Sequence, residues 1–182
     1  MTRYVAFLRG MNVGGHRITN AELCAAFDKI GLPDAATFRA SGNVIFDAHH
    51  GDPRADIAAR IEQGLEETLG YAVPVFLRDA DETRAIAAQN PFPAKQVQAS
   101  KGKLQVILLA SKPKAKTVRE ILAHASDKDR LVVEGSELYW LPSGGTIDSE
   151  LDLKTIAKLI DGLSTMRTKG TVDLIAAKHC AE

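Results

Sequence analysis

The sequence predicts an α+β chain made of two ferredoxin-like (βαββαβ-type) halves in tandem, the second incomplete. Residues 4–78 read as strand, helix, strand, strand, helix, strand, which is the split βαβ order. A similar order begins again at Leu104, after a polar break. Each half also carries a glycine-bearing hairpin signature, Ser41-Gly42-Asn43 in the first and Glu134-Gly135-Ser136 in the second.

The elements follow from local pattern. Tyr4-Val5-Ala6-Phe7-Leu8 is a β-branched and aromatic run ended by Arg9-Gly10 and a glycine-rich stretch through Gly15. Thr19 with Glu22 forms a capping box, Leu23, Phe27 and Ile30 share the face of the helix it opens, and Gly31 stops that helix. Thr37–Ala40 and Val44–Phe46 flank the first hairpin tip. Ile57, Ile61, Leu65 and Leu69 recur every four residues, which predicts an amphipathic helix over 53–69 with Gly70 as its stop. Val73–Arg78 reads as a strand and Asp79–Gln89 as a short helix broken by Asn90-Pro91-Phe92-Pro93. In the second half, Leu104–Ala110 is an apolar strand and Pro113 starts a helix whose Val118, Ile121 and Leu122 face inward. Leu131–Val133 and Glu137–Leu141 flank the second hairpin. Helices over 151–163 and 171–178 complete the reading, with no fourth strand visible. The domain reading is 1–92 as the first half with its trailing helix, 93–103 as a linker, and 104–182 as the second half with a C-terminal helix.

Composition narrows the function classes. The chain has 182 residues, 45% of them hydrophobic, enough to bury a core, so a wholly disordered chain is excluded. Lys plus Arg and Asp plus Glu are both 23, and a net charge of zero argues against a chain devoted to coating nucleic acid or an anionic membrane. No apolar run approaches the ~18 residues of a membrane span. Met1-Thr2-Arg3-Tyr4 leads straight into a strand, so no signal peptide is expected, and the two cysteines suit a reducing, cytoplasmic location.

The chemistry-bearing candidates lie in loops. Gly10 and Gly15 have P-loop spacing, but His16 and Arg17 stand where lysine and a hydroxyl residue belong, and Asn12 breaks a dinucleotide fingerprint. What survives is a strand-to-helix loop whose backbone N–H groups, near Arg9, Asn12, His16 and Arg17, suit an anion; the plainer reading is a connection that needs glycine for sterics. Asn43 offers a side-chain amide to a ligand or satisfies its own hairpin. His49-His50, beside Asp47 and Asp52, lacks a spaced third metal ligand and reads as a solvated loop. Cys24 reads as a buried structural thiol and His179-Cys180 as inert. No nucleophile elbow appears, so no catalytic residue is assigned. Lys95, Lys101, Lys103, Lys112, Lys114, Lys116 and Arg119 make an acid-free basic stretch over 95–119, which reads first as a solvated surface. Base stacking as in RNA-recognition domains is disfavoured, because Tyr4, Phe7, Phe38 and Phe46 are needed mostly for the core.

Tyr4 through Gly15 resembles the opening signature of the bacterial domain-of-unknown-function family 1697. Thr37 with Ser41-Gly42-Asn43-Val44-Ile45-Phe46 matches its second signature, and Asn90-Pro91-Phe92 and Glu134–Tyr139 match weaker ones. The resemblance implies a two-part α+β protein with ferredoxin-like halves and no established activity, cofactor or substrate. The family's Thr-x-Arg-Asn-x-x-Thr segment is met by Thr165, Arg167 and Thr171, with Thr168 in place of asparagine.

The functional expectation is a small-ligand or anion-binding protein whose site gathers Arg9, Asn12, Gly14 and Gly15 with Ser41, Asn43 and Arg167. No metal, cofactor or membrane is expected. The alternative is a non-catalytic module that binds protein or nucleic acid through a sheet edge or the basic stretch 95–119.

Overall fold

The computed structural model describes residues 1–11, 15, 17–39 and 42–181. Among them lie two four-stranded antiparallel sheets and seven helices. The chain divides into two compact units, Met1–Ala85 with Ile175–Glu182, and Ile86–Leu174.

In the first unit the elements run β1 (Thr2–Leu8), α1 (Asn20–Lys29), β2 (Ala36–Thr37), β3 (Asn43–Ala48), α2 (Arg54–Leu69) and β4 (Val75–Asp79). The sheet order is β2-β3-β1-β4, every neighbour antiparallel. Successive side chains of a strand point to opposite faces. Tyr4, Ala6 and Leu8 of β1 pack with Leu23 and Phe27 of α1 and with Ile57, Ile61 and Leu65 of α2. The alternate residues Val5 and Phe7 are fully buried as well, so β1 reads as one apolar run rather than as an alternation. Thr19 caps α1 as the sequence predicts: its hydroxyl accepts from the Glu22 N–H while the Glu22 carboxylate accepts from the Thr19 N–H at 2.7 Å. Gly70, in the left-handed conformation at φ +79, ends α2 and donates to the Glu66 carbonyl. Each of Ile57, Ile61 and Leu65 removed from water contributes roughly 1.5–3 kcal/mol, which holds α2 against the sheet.

The strand before the first hairpin is shorter than its sequence suggests. Among the described residues, β2 pairs through Ala36 and Thr37, and the Phe38 N–H donates to the Asn43 carbonyl. Cys24, expected in the core, is half-buried.

The second unit contains α4 (Ala94–Ala99), β5 (Gln105–Leu109), α5 (Ala115–Leu122), β6 (Asp129–Glu134), β7 (Glu137–Pro142), α6 (Leu153–Leu159) and β8 (Ser164–Thr168). Its sheet order is β6-β7-β5-β8, again antiparallel throughout. Ile107, Leu109, Leu131, Leu138 and Trp140 from the sheet meet Ile121 of α5 and Ile156 of α6 in its core.

The expectation that this half lacks its fourth strand is corrected by β8. Ser-Thr-Met-Arg-Thr contains no apolar run, because β8 is an edge strand of its sheet and just Thr165 along it is buried. An edge strand held by backbone bonds to β5 need not look hydrophobic. The short helix α4 occupies part of the segment 93–103. The two remaining helices, α3 (Ala80–Ala88) and α7 (Lys169–His179), carry the chain between units, since both divisions fall inside them.

Candidate ligand site

One end of the first sheet gathers three connections. β1 ends at Leu8, whose N–H donates to the Gly42 carbonyl at 2.8 Å. The next residue, Arg9, donates its N–H to the Pro74 carbonyl at 3.0 Å, just before β4. The chain leaving β1 is therefore tied to the β2–β3 hairpin on one side and to the α2–β4 connection on the other. Gly42 shows how closely they approach. It adopts φ +70, and a Cβ there would lie 2.8 Å from Met11 Cγ and 3.2 Å from Leu8 Cβ. Only glycine accepts both that backbone conformation and that proximity.

Of the residues expected to form a site, Arg9 is exposed at this end, Gly15 has φ +84 with open space where a Cβ would be, and Asn43 is the first residue of β3. Asn12, Gly14 and Ser41 lie outside the described residues, as does His16. Asn43 is fully buried, and its side-chain Nδ2 donates to the Phe38 carbonyl at 3.0 Å. That donor supports the hairpin.

Arg167 belongs to the other unit. It lies on β8, where its Nη1 donates to Thr165 Oγ1 at 2.9 Å and to the Met166 carbonyl at 2.8 Å. Burial lowers its guanidinium to about 10. The neighbouring Thr168 accepts from the Thr171 N–H at 3.3 Å and shares a hydroxyl–hydroxyl bond with Thr171 at 2.9 Å. Threonine here makes a helix-starting bond of the kind that asparagine can also make.

The hairpin carries cations the sequence did not single out. Arg39 stands 5.5 Å from the centroid of the Phe38 ring, and Lys178 of α7 stands 5.7 Å from it. His179 meets the same ring edge-on at 5.8 Å. Burial, then the charges of Arg3 and Lys178, hold the His179 imidazole below its ordinary value, so it is neutral near pH 7. Lys178 is 140 residues from Phe38, and no sequence periodicity links the two.

Other candidates resolve simply. Thr2 Oγ1 and His50 Nδ1 are 3.0 Å apart, and both histidines of the 49–50 pair are exposed. Among the described residues, no group of three or more His, Cys, Asp or Glu is placed to hold a metal. Cys180 is buried, and desolvation raises its thiol above the ordinary value, which makes it a poor nucleophile. All seven cations of the stretch 95–119 are exposed, and Lys116 reaches Glu120 at 3.8 Å. Among the described residues, no helix is long and apolar enough to cross a membrane.

A family model described as "Protein of unknown function (DUF1697)" matches residues 1–139. The chain belongs to the DUF1697 family. This DUF1697 protein is also similar to a solved structure titled "The structure of conserved bacterial protein SP0830 from Streptococcus pneumoniae", with a TM-score of 0.72 and 19% identity, covering 97% of each chain. At that identity the likeness concerns the fold alone. No curated protein matches the sequence.

Proposed function

We propose that this DUF1697 protein binds a small anionic ligand at the end of the first sheet, where the β1–α1 connection meets the β2–β3 hairpin. The carrying observation is the seat of Gly42 against Leu8 and Met11, which brings the hairpin tip against the start of the glycine-rich β1–α1 connection. Arg9 and Arg39 supply fixed positive charge on those two segments, and Lys178 lies over the adjoining Phe38 ring. Guanidinium groups pair anions in a fork, and backbone N–H groups beside positive-φ glycines complete such a cradle. Asn12, Gly14 and Ser41 belong to the same two loops by sequence, and Arg167 serves the fold of the other unit in this reading.

We further read each sheet with its two helices as a ferredoxin-like half, and the chain as a duplication. The support is the matching strand order, β2-β3-β1-β4 and β6-β7-β5-β8, reached through the same sequence of elements. The cytoplasm suits a chain with two unpaired thiols.

The test is a thermal-shift screen of the protein against inorganic phosphates, nucleotides and phosphorylated coenzymes, beside Arg9→Ala. A ligand at a hundred times its dissociation constant stabilises by ~2.7 kcal/mol. The expected result is a hit that Arg9→Ala abolishes with little change in the ligand-free Tm. Hits indifferent to Arg9→Ala would remove this site from consideration.

A further inference from the structure

We propose that a cavity in the second unit, between α4 and the adjoining ends of β6 and β7, is a separate site for the phosphate head of a small phosphorylated metabolite. The cavity has a volume of about 240 Å³, and its polar lining includes Lys95, Gln96, Ser100, Lys128, Arg130 and Ser143. Each comes from a different local constraint. α4 presents Lys95 and Gln96, Arg130 is the second residue of β6, and Lys128 lies in the turn just before it.

The frame is stitched by backbone bonds. Lys101 N–H donates to the Ser143 carbonyl at 3.1 Å, and Ser143 N–H donates to the Lys128 carbonyl at 2.7 Å. Ser100 Oγ donates to the Pro142 carbonyl. Gly102 is pressed into this junction: a Cβ there would lie 2.7 Å from the Pro142 carbonyl oxygen and closer still to that of Gly144. The segment after α4 is thus clamped to the end of β7, which holds the lining in place before any ligand arrives.

Charge indicates the occupant. Among the described residues, Lys95, Lys128 and Arg130 form no ion pair, whereas Arg3, Arg54, Arg84 and Lys169 each have a carboxylate partner. One carboxylate, Asp127, lines the cavity, and it lies beyond ion-pair distance of all three cations. Asp129, between Lys128 and Arg130 in sequence, is buried and outside the cavity lining, and its Oδ1 accepts from Trp140 Nε1 at 2.8 Å and from Ser149 Oγ at 2.7 Å. The three cations line one hollow, and an anion carrying several oxygens can accept from all of them while using Arg130 as a fork. A cavity smaller than the roughly 300 Å³ at the low end of drug-sized pockets takes a headgroup rather than a whole ligand. Beyond Gln96, Asp127 and Arg130 it opens into a hollow of about 550 Å³, lined also by Phe92 and Leu131, with room for a neutral body.

The experiment is a ¹H–¹⁵N titration of the full chain with sodium pyrophosphate, then with ADP, at constant ionic strength. Saturable shifts are expected at the amides of Ser100, Lys128, Arg130 and Ser143, spreading to Phe92 and Leu131 with ADP. Lys95→Ala, on an exposed helix position, and Lys128→Ala/Arg130→Ala should each weaken binding by roughly tenfold or more, as loss of a charge-assisted hydrogen bond implies. Arg9→Ala should leave these shifts intact, which separates this site from the one at the first sheet. The proposal is overturned by absence of saturable shifts at those amides, or by shifts that survive both lysine variants. It is equally overturned by loss of the shifts in Arg9→Ala, or by a single-stranded oligonucleotide that produces them at lower concentration than either phosphate.

Discussion

Replacing Gly64 with alanine sets two known magnitudes against each other. Gly64 lies inside α2, where alanine should gain about 1 kcal/mol in helix propensity. A Cβ at Gly64 would, however, sit 2.8 Å from Ile30 Cδ1 and closer still to Cγ1, at the place where α1 ends against α2. Forcing a methyl into such a contact costs about 1–3 kcal/mol, so Gly64→Ala should destabilise by about 1 kcal/mol net. Ile30→Ala removes both clashing atoms and leaves the Ile30 Cβ at 3.6 Å, an ordinary contact. In that background the same Gly64→Ala change should stabilise, by about 0.5–1 kcal/mol. The assay is urea denaturation followed by far-ultraviolet circular dichroism on the four chains of the cycle, because the single tryptophan, Trp140, lies in the other unit. Additive effects, with Gly64→Ala stabilising both backgrounds equally, would refute the argument that glycine is there to let the helices close.

Trp140 provides the matching probe for the second unit. Its indole is fully buried and its one donor is satisfied by Asp129, so Asp129→Ala should cost about 2–3 kcal/mol, read as a lower urea midpoint by tryptophan fluorescence. Thr19→Ala removes the α1 cap and should cost about 1 kcal/mol, with Thr19→Ser restoring most of it in the same denaturation assay. The forked pair of Arg3 with Asp47, at 3.0 and 2.9 Å, holds the Asp47 carboxyl below its ordinary value, chiefly through the hydrogen bond to Arg3. A lowered folded value means that this contribution is complete above the ordinary carboxylate range near 4 and disappears as pH falls through the folded value. Both side chains are about half exposed, so Arg3→Ala should cost less than about 1 kcal/mol at pH 7, and less as pH falls through the folded Asp47 value, seen as urea midpoints that draw closer together in acid.

The legible parts of this fold were those where one residue type answers one local constraint. Thr19 and Glu22 announce a helix start because both caps lie within four residues of each other. Ile57, Ile61 and Leu65 announce α2 because a helix repeats its buried face every 3.6 residues. The Ser41-Gly42-Asn43 hairpin was readable for the same reason, and its glycine does adopt a positive φ. Arg9 and Asn43 were singled out from the loops as polar residues at strand ends. For Asn43 the structure places its Nδ2 on the Phe38 carbonyl, deep in the hairpin. Sequence alone cannot separate an amide that binds a ligand from one that binds its own turn, since both occur at the same loop position.

By itself the sequence determined most of the element order of an α+β chain and the α1 cap and the helix stops at Gly31 and Gly70, because these depend on neighbours within a few residues. It did not determine β8, whose polar Ser-Thr-Met-Arg-Thr is a strand only because β5 offers it backbone partners. Nor did it determine that Leu8, Met11 and Gly42 meet at one sheet end, that Lys178 stands over Phe38, or that Lys95, Lys128 and Arg130 line one cavity with no ion pair among the described residues. Those facts depend on antiparallel register and on helices returning to the sheet from distant positions. Contacts across such separations leave no period in the sequence, so only the assembled tertiary structure decides them.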